Sequence, residues 1–370
     1  MRITGLDVWV VNVPYTAPFV SSFEVRSGTT RTVIRLRTDD GLTGWGETMH
    51  GDPVAALVRK LYAQYEDTDP FEVERQAEKL RMVPFFYGYL GYAAMAALEM
   101  ACHDLMGRAT GQPLHNLIGG MVRDRVPLTY VATPHEATGD EGLLADIRGA
   151  GTELGIDTIK LKGSADPRED VRRLELIRAR FPDVALRVDP NGHWPMAETI
   201  RLGRRLTELD LEYLEDPCWG LEAMAQVRAA LRIPLCTNMC VVRMEDVAPA
   251  LRLGAIDVLH GDVHKWGGIA SHRKLAGICE AAGWGMNLHS GGELGLSTAA
   301  HLHVVAATPQ IRYAIDTVYY LFADDIIEQP LVIKDGALPV PTGPGLGVEP
   351  ELAKLDHYAR LHDRDGDLLL

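Results

Sequence analysis

Cysteines are few in this chain, and long apolar runs are absent. The five cysteines form no Cys-x-x-Cys pair, so neither a disulfide framework nor a cysteine-based zinc site is indicated. No apolar stretch approaches the roughly 18 residues that a membrane span requires, and the N-terminus lacks the apolar region of a secretory signal. We therefore expect a protein of the reducing cytoplasm with no membrane partner.

Positive charge is also scarce. Lys and Arg number 37 against 51 Asp and Glu, which gives a net charge of −14. Because no basic cluster interrupts this acidity, nucleic acid is excluded as a partner and small molecules are expected. At 370 residues the chain is long enough for one α/β barrel and a smaller second domain.

The hydrophobic pattern changes along the chain and predicts three parts. Residues 1–122 read as α+β, with strands over 3–13 and 32–38, a helix start at Asp52-Pro53, and helices over 71–80 and 89–106. Residues 323–370 contain a predicted hairpin over 333–338 and are expected to return to the first part. Between them, residues 123–322 alternate short apolar strands with amphipathic helices, as in an α/β barrel. Its eight predicted strands cover 127–132, 158–162, 185–189, 212–215, 235–238, 258–262, 285–289 and 312–316.

Seven of these strands end in a polar residue. Successive strand ends are 23 to 27 residues apart, close to the length of one strand-helix unit. Because the carboxyl ends of barrel strands converge on the face that carries the active site, we expect these side chains to meet. They are Lys162, Asp189, Glu215, Asn238, Asp262, His289 and Asp316.

Three consecutive strand ends predict a metal site. Asp189 and Glu215 offer carboxylate oxygens and Asn238 an amide oxygen, a donor set suited to Mg²⁺. The alternative is that the two acids are solvated turn residues, since Asp189 begins the turn sequence Asp-Pro-Asn-Gly. Buried charge without a ligand destabilises a core, which favours the metal site.

Two further pairs predict proton transfer. Lys160 and Lys162 alternate along one strand and face the barrel interior, where mutual repulsion and a nearby metal ion should depress a lysine pKa and create a general base. Asp262 can orient His289 from the adjacent strand. The alternatives are lysines that reach solvent, a loop-capping aspartate and an ordinary satisfied histidine. Further candidates near the same face, which touch substrate or are only hydrated, are Asn191, His193, His264, Glu293 and Asp316.

In combination these residues resemble the enolase superfamily, in particular its mandelate racemase-like and glucarate dehydratase-like members. The resemblance implies a modified (β/α)7β TIM-type barrel, an α+β N-terminal capping domain completed by the C-terminal segment, bound Mg²⁺, and a homo-oligomer. It also implies that Lys162 and His289 face opposite sides of the substrate α-carbon, with Lys160 as an added cation. A cap loop over 19–24, with His50 and Asp52, would close the barrel mouth. The motifs that carry the resemblance are Lys160-Leu161-Lys162-Gly163, Asp189-Pro190-Asn191-Gly192, Thr237-Asn238-Met239, His289-Ser290 and Ala314-Ile315-Asp316-Thr317.

The resemblance implies a lyase that acts on a small-molecule carboxylate. The expected reaction removes the proton α to the carboxylate of an acid sugar, an aldonate or aldarate, and eliminates the β-hydroxyl to give a 2-keto-3-deoxy acid. Alternatives are a racemase or epimerase with the same bases, a metal-free Schiff-base aldolase, and a non-catalytic binding barrel. Gly291, Gly292 and Glu293 replace the subgroup's two asparagines and second histidine, and Val318 replaces a histidine, which leaves the acid sugar open.

Overall fold

The N-terminal region is built on a three-stranded antiparallel sheet. The computed structural model describes residues 1–134 and 138–368. The strands are β1 (Ile3–Val20), β2 (Val25–Thr38) and β3 (Thr43–Met49), in the order β1, β2, β3. The first two extend seven residues further toward their hairpin than the sequence pattern predicts. The Gly and Pro residues of these extensions have little strand propensity, and the extensions are strands because they pair with each other.

Helices cover this sheet. They are α1 (Asp52–Tyr62), α2 (Val73–Leu80), α3 (Val83–Thr110) and the short α4 (Leu114–Leu117). The predicted start at Asp52-Pro53 is confirmed, although the capping residue is Gly51 and Asp52 already lies in the first turn. A non-helical Gly88, at φ 57°, kinks α3, so that its straight segment begins where the pattern placed it.

Eight parallel strands form the barrel. They are β4 (Arg125–Ala132), β5 (Thr158–Lys162), β6 (Ala185–Asp189), β7 (Tyr213–Glu215), β8 (Leu235–Thr237), β9 (Val258–Gly261), β10 (Gly285–Leu288) and β11 (Ile315–Thr317). Each of β4 to β9 pairs with the next strand in chain order, and β11 pairs with β4. Met286 of β10 also pairs with Ile311, just before β11, which closes the ring. The eight predicted barrel strands are present, although the last covers Ile315–Thr317 and not 312–316.

Seven helices follow the first seven barrel strands. They are α5 (Gly139–Gly149), α6 (Pro167–Arg180), α7 (Met196–Glu208), α8 (Leu221–Ala230), α9 (Met244–Leu253), α10 (Ile269–Ala282) and α11 (Gly295–Ala306). After β11 the chain makes a single 3₁₀ turn, Tyr319–Leu321, instead of an eighth helix. The expected (β/α)7β architecture is therefore present.

The C-terminal segment returns to the N-terminal region. A turn at Asp335-Gly336, both with positive φ, leads into β12 (Ala337–Pro339), which pairs with β4. Helix α12 (Leu352–Asp365) then packs on β1, where Leu355 and Tyr358 join its buried valines. The segment thus completes the cap, whereas domain limits at 122 and 322 stay a prediction. Within the described ranges, no helix is long and apolar enough to cross a membrane.

Candidate active site

The three candidate metal ligands lie together at the carboxyl ends of β6, β7 and β8. Lys160 Nζ is 3.9 Å from Asp189 Oδ2 and donates to Glu215 Oε2 at 3.1 Å. Asn238 Nδ2 donates to Glu215 Oε1. The two carboxylates are fully buried, and Asn238 is 3% exposed. The parallel barrel strands thus bring residues that are up to 49 positions apart in sequence into one cluster.

This donor set fits Mg²⁺. The cluster offers two buried carboxylates and one amide, all hard oxygen donors, and Asn238 of the three lines a cavity. In this structure lysine ammonium groups contact the same oxygens: Lys162 Nζ donates to Asp189 Oδ2 at 2.6 Å, and Lys265 Nζ to Asn238 Oδ1 at 3.0 Å. Positive charge is already favoured there, which is the electrostatic requirement of a cation site.

Lys160 is the buried centre of this charge network. Its Nζ also donates to Asp316 Oδ2, from the last barrel strand. Burial alone would lower the pKa of Lys160, but Asp316, Glu215 and Asp189 outweigh it and raise that pKa. The depressed lysine pKa expected from repulsion between the two lysines is therefore not found at Lys160, because three carboxylates lie within 3.9 Å of its ammonium group. It is suited to a fixed positive charge.

Lys162 points into the barrel, as the alternation along β5 predicts. Its Nζ donates to Asp189 Oδ2 and, at 3.3 Å, to Asn191 Oδ1. Asn191 has a positive φ of 52° and is fixed in turn, because its backbone and side-chain nitrogens donate to Asp189 at 2.9 and 3.0 Å. Both Lys162 and Asn191 line the cavity.

Asp262 and His289 form a hydrogen-bonded pair. Nδ1 of His289 lies 3.0 Å from Asp262 Oδ2, and Asp262 Oδ1 accepts the backbone N–H groups of His264 and Lys265 at 2.8 and 3.2 Å. A carboxylate partner fixes the proton on Nδ1 and leaves Nε2 free to exchange a proton. Burial, with the positive charges of Lys265 and Lys160, lowers the pKa of His289 well below its ordinary value. The ring is therefore neutral at pH 7.

Lys162 and His289 enter the site from different flanks. Around the ring, β6, β7, β8 and β9 lie between β5, which carries Lys162, and β10, which His289 follows. The three ligand strands are among those four. The two candidate proton-transfer groups therefore bracket the ligand cluster.

One cavity of about 440 Å³ connects these groups to the cap. Of the predicted substrate-binding residues, Asn191, Asp316 and His50 line it. Glu293 does not: its carboxylate accepts Ser290 Oγ at 2.6 Å and the Gly291 N–H at 2.7 Å, and so holds the loop after His289 in place. The cap loop contributes Phe19, Ser21, Phe23 and Glu24 to the cavity, whereas Asp52 lies outside it.

Sequence reasoning missed two residues that hold Asn238. Lys265 donates to its side-chain oxygen, and burial lowers the pKa of Lys265. Asp216 accepts the Asn238 N–H at 2.7 Å and the Met239 N–H at 3.1 Å. Lys265 lies three residues after Asp262, and Asp216 directly follows Glu215. This closeness to predicted site residues is the sequence signal that could have identified them.

Two family models together match most of the chain. Residues 5–119 match the mandelate racemase/muconate lactonizing enzyme N-terminal domain, and residues 143–354 match the enolase C-terminal domain-like family. A Streptomyces coelicolor protein named "Probable glucarate dehydratase" is 33% identical, over 92% of this chain and 87% of its own. Muconate cycloisomerase 1 of Rhodococcus opacus is 27% identical, over 97% of this chain and 99% of its own, and an N-succinylamino acid racemase of Amycolatopsis is 30% identical, over 96% and 97%.

Solved structures share the entire fold. An enolase from Streptomyces coelicolor is 56% identical, with a TM-score of 0.97 and complete coverage of both chains. An enolase from Thermobispora bispora, solved with magnesium and formate, is 34% identical with a TM-score of 0.91, over 99% of this chain and 94% of that one. Magnesium binding is thus a property of the family. The chain belongs to the enolase superfamily, in its mandelate racemase-like, glucarate dehydratase-like subgroup.

Proposed function

We propose that this enzyme is a Mg²⁺-dependent dehydratase of an acid sugar. It would remove the proton α to the carboxylate and eliminate the β-hydroxyl, giving a 2-keto-3-deoxy acid. The observation that carries the proposal is the placement of Lys162 and of His289, which is paired with Asp262, on two flanks of the Asp189–Glu215–Asn238 cluster. Lys162, His289 and Asn238 line one cavity. The similarity to a protein named as a glucarate dehydratase supports the reaction type.

Asp189, Glu215 and Asn238 are the residues that would hold Mg²⁺. When bound, the ion supplies positive charge beside the substrate carboxylate, where negative charge grows as the α-proton leaves. Lys160 adds a cation that is paired with Asp316, a carboxylate outside the ligand set. These fixed charges favour the ene-diolate over the substrate ground state.

His289 is suited to both proton transfers. Its neutral ring can accept the α-proton at Nε2, and the imidazolium formed is stabilised by Asp262 at Nδ1. The same proton then passes to the β-oxygen as the carbon–oxygen bond breaks, and water leaves. The resulting enol takes up a proton at the β-carbon and becomes the 2-keto acid. Lys162 borders the other flank, where its Nζ positions Asp189 and Asn191.

The test is a screen of aldonates and aldarates with Mg²⁺, read out as 2-keto acid formation. On the best substrate, His289→Asn should lower kcat at least a hundredfold, which is the ordinary contribution of a general acid-base group, roughly 10² to 10⁴. His357→Asn, an exposed histidine on α12, is the matched control. Normal turnover by both His289→Asn and Lys162→Ala would end the assignment.

A racemase or epimerase is the second candidate, and the two-flank arrangement is the observation that favours it. Proton removal by one group and return by the other inverts the α-carbon, which requires groups on both sides. In deuterium oxide, this reaction places solvent deuterium in recovered substrate without loss of water. A dehydratase instead releases water and forms the keto acid.

We also propose that the protein acts on a small-molecule carboxylate in the cytoplasm as a homo-oligomer. Light scattering on the purified protein measures its mass directly. A mass equal to that of one 40.7 kDa chain would contradict the oligomer.

A further inference from the structure

The last described residues reach the candidate active site. Asp367 lies two residues beyond the end of α12, and its side chain lines the cavity together with His50 and Pro53 of the cap. The side chain keeps 29% of its surface exposed. The catalytic roles described above use none of the C-terminal segment, so this carboxylate has no assigned part in the site.

A buried pair of cap residues clamps the chain on both sides of Asp367. Asn12 of β1 and Thr30 of β2 face each other across the two strands, and Thr30 Oγ1 donates to Asn12 Oδ1 at 2.7 Å. Asn12 Nδ2 donates to the Gly366 carbonyl at 2.8 Å, and the Leu368 N–H donates to Thr30 Oγ1 at 2.7 Å. One clamp bond precedes Asp367 and one follows it, so its position is fixed by backbone contacts.

Only one of the two oxygens of the Asp367 carboxylate has a hydrogen-bond partner among the described residues. Its Oδ1 pairs with Nε2 of His362 at 2.8 Å, and Gly51 makes room for it, because a Cβ added at Gly51 would overlap Oδ1. In the part of the chain that the structure describes, Oδ2 has no hydrogen-bond partner. A carboxylate oxygen only accepts hydrogen bonds, so Oδ2 is an acceptor offered to whatever fills this end of the cavity.

The cap wall, defined as Glu24, Arg26, His50 and Asp367, carries excess negative charge. Arg26 forms an ion pair with Glu24, which balances both. Burial and the nearby Arg31 lower the pKa of His50, so this imidazole is neutral at pH 7. Within the cap wall the charge of Asp367 remains unbalanced, since its one partner, His362, does not line the cavity. The barrel side of the cavity, in contrast, carries Lys160, Lys162 and Lys265.

We propose that Asp367 recognises the end of the substrate farthest from the reacting carboxylate, where it accepts a hydrogen bond from a hydroxyl group and repels a second carboxylate. The inference rests on the proposed function, because it assumes that the reacting carboxylate binds at the barrel side. It narrows the substrate class to aldonates, whose far end is a CH₂OH group, and disfavours aldarates, whose far end is a carboxylate.

Two ligand pairs test this inference directly. Gluconate and glucarate, and threonate and tartrate, differ within each pair only in a terminal CH₂OH against COO⁻. Their Kd values are measured by calorimetry with Mg²⁺, without reliance on turnover. In the wild type, the monoacid of at least one pair should bind at least about tenfold more tightly, from a charged hydrogen bond gained and a like charge avoided.

Asp367→Asn should weaken monoacid binding roughly five- to tenfold and tighten diacid binding, so that the ratio within the pair approaches one. Its melting temperature should change by no more than about 1 °C, because the clamp uses only the backbone of the neighbouring residues and the His362 contact is that of a partly exposed pair. Gly51→Ala, which displaces the same carboxylate without removing it, should shift the ratio in the same direction. Asp363→Asn, an exposed acid on α12, is the control for net charge.

The outcomes separate this inference from the proposed function. Equal monoacid and diacid affinities in the wild type, or equal shifts in Asp367→Asn and Asp363→Asn, overturn the role of Asp367 and leave dehydration untouched. The expected shifts without any 2-keto acid formation support the role and overturn the dehydratase. If none of the four acids binds, the role proposed for Asp367 fails, and the screen of aldonates and aldarates alone decides the dehydratase.

Discussion

Replacement of Lys160 by methionine should destabilise the barrel. Its ammonium group lies among Glu215, Asp316 and Asp189, and all four side chains are at most 2% exposed. Lys160→Met keeps the length of the side chain and removes its charge, which leaves buried carboxylates uncompensated. Loss of one partner from a buried ion pair costs about 3–5 kcal/mol.

This cost corresponds to a measurable shift in melting temperature. Unfolding entropy is about 2.1 cal/mol/K per residue, which gives about 780 cal/mol/K for this chain of 370 residues. The expected decrease in Tm is then about 4 to 6 °C, measured by calorimetry in EDTA. Lys274→Met is the matched control, since Lys274 pairs with Glu74 at the surface, with 54% and 63% exposure, and should shift Tm by no more than about 1 °C.

The stabilisation that the ion pairs of Lys160 give to the wild type should stay constant from about pH 5 to pH 9. The pKa of Lys160 is raised, so its contribution is complete below the unfolded lysine pKa of about 10.4 and is lost only above it. The pKa values of Glu215 and Asp316 are lowered, since Lys160 and His260 outweigh the opposing effect of burial, and their contribution is lost only as pH falls below about 4. A Tm for Lys160→Met within 1 °C of the wild type in EDTA would refute this account.

Three further measurements address the dyad, the metal site and a buried histidine. Asp262→Asn should lower kcat by roughly 10² to 10⁴, because the new amide favours the wrong tautomer of His289; a fall below threefold contradicts the pairing. Saturating Mg²⁺ should raise the wild-type Tm by about 3 °C at one hundred times Kd, and Asp189→Asn should abolish the shift; a persistent shift places the ion elsewhere. Burial lowers the pKa of His272 to about 3, so the ring stays neutral in the folded protein, whereas in the unfolded chain it binds a proton below about pH 6.5. The free energy of unfolding therefore decreases as the pH is lowered. His272→Leu should therefore lose about 2 kcal/mol less than wild type between pH 7 and pH 5, by urea unfolding, and equal losses would show that the ring is accessible to protons.

Local sequence was sufficient to predict which strand-end residues meet on the barrel side of the site. Parallel strands place their carboxyl ends on one face whatever the intervening helices are, so the polar residue that ends each strand is placed by the strand itself. Asp189 and Glu215 illustrate this: each is the last residue of its strand, and both are buried in the same cluster. Lys160 and Lys162 face inward together because strand side chains alternate.

Electrostatic detail and the cap wall could not be derived in this way. The pKa direction of Lys160 depends on Asp316, 156 residues away, whose oxygen approaches Nζ only in the closed ring. Asp367 depends on a contact between Thr30 and Leu368, 338 residues apart in sequence. Contacts between residues so far apart produce no periodic pattern in the sequence, because they form only when the elements that carry them have packed.

The reacting groups and the cap wall are held in place in different ways. The proton-transfer and ligand residues are fixed by the hydrogen bonds of one continuous ring, so displacing any of them strains several strands at once. The cap wall is assembled from the loop at Glu24, the turn at His50 and the C-terminal tail, which are held by separate contacts. Each of these segments can change without disturbing the barrel, which gives a physical reason why relatives of similar overall identity carry the names of a dehydratase, racemases and cycloisomerases.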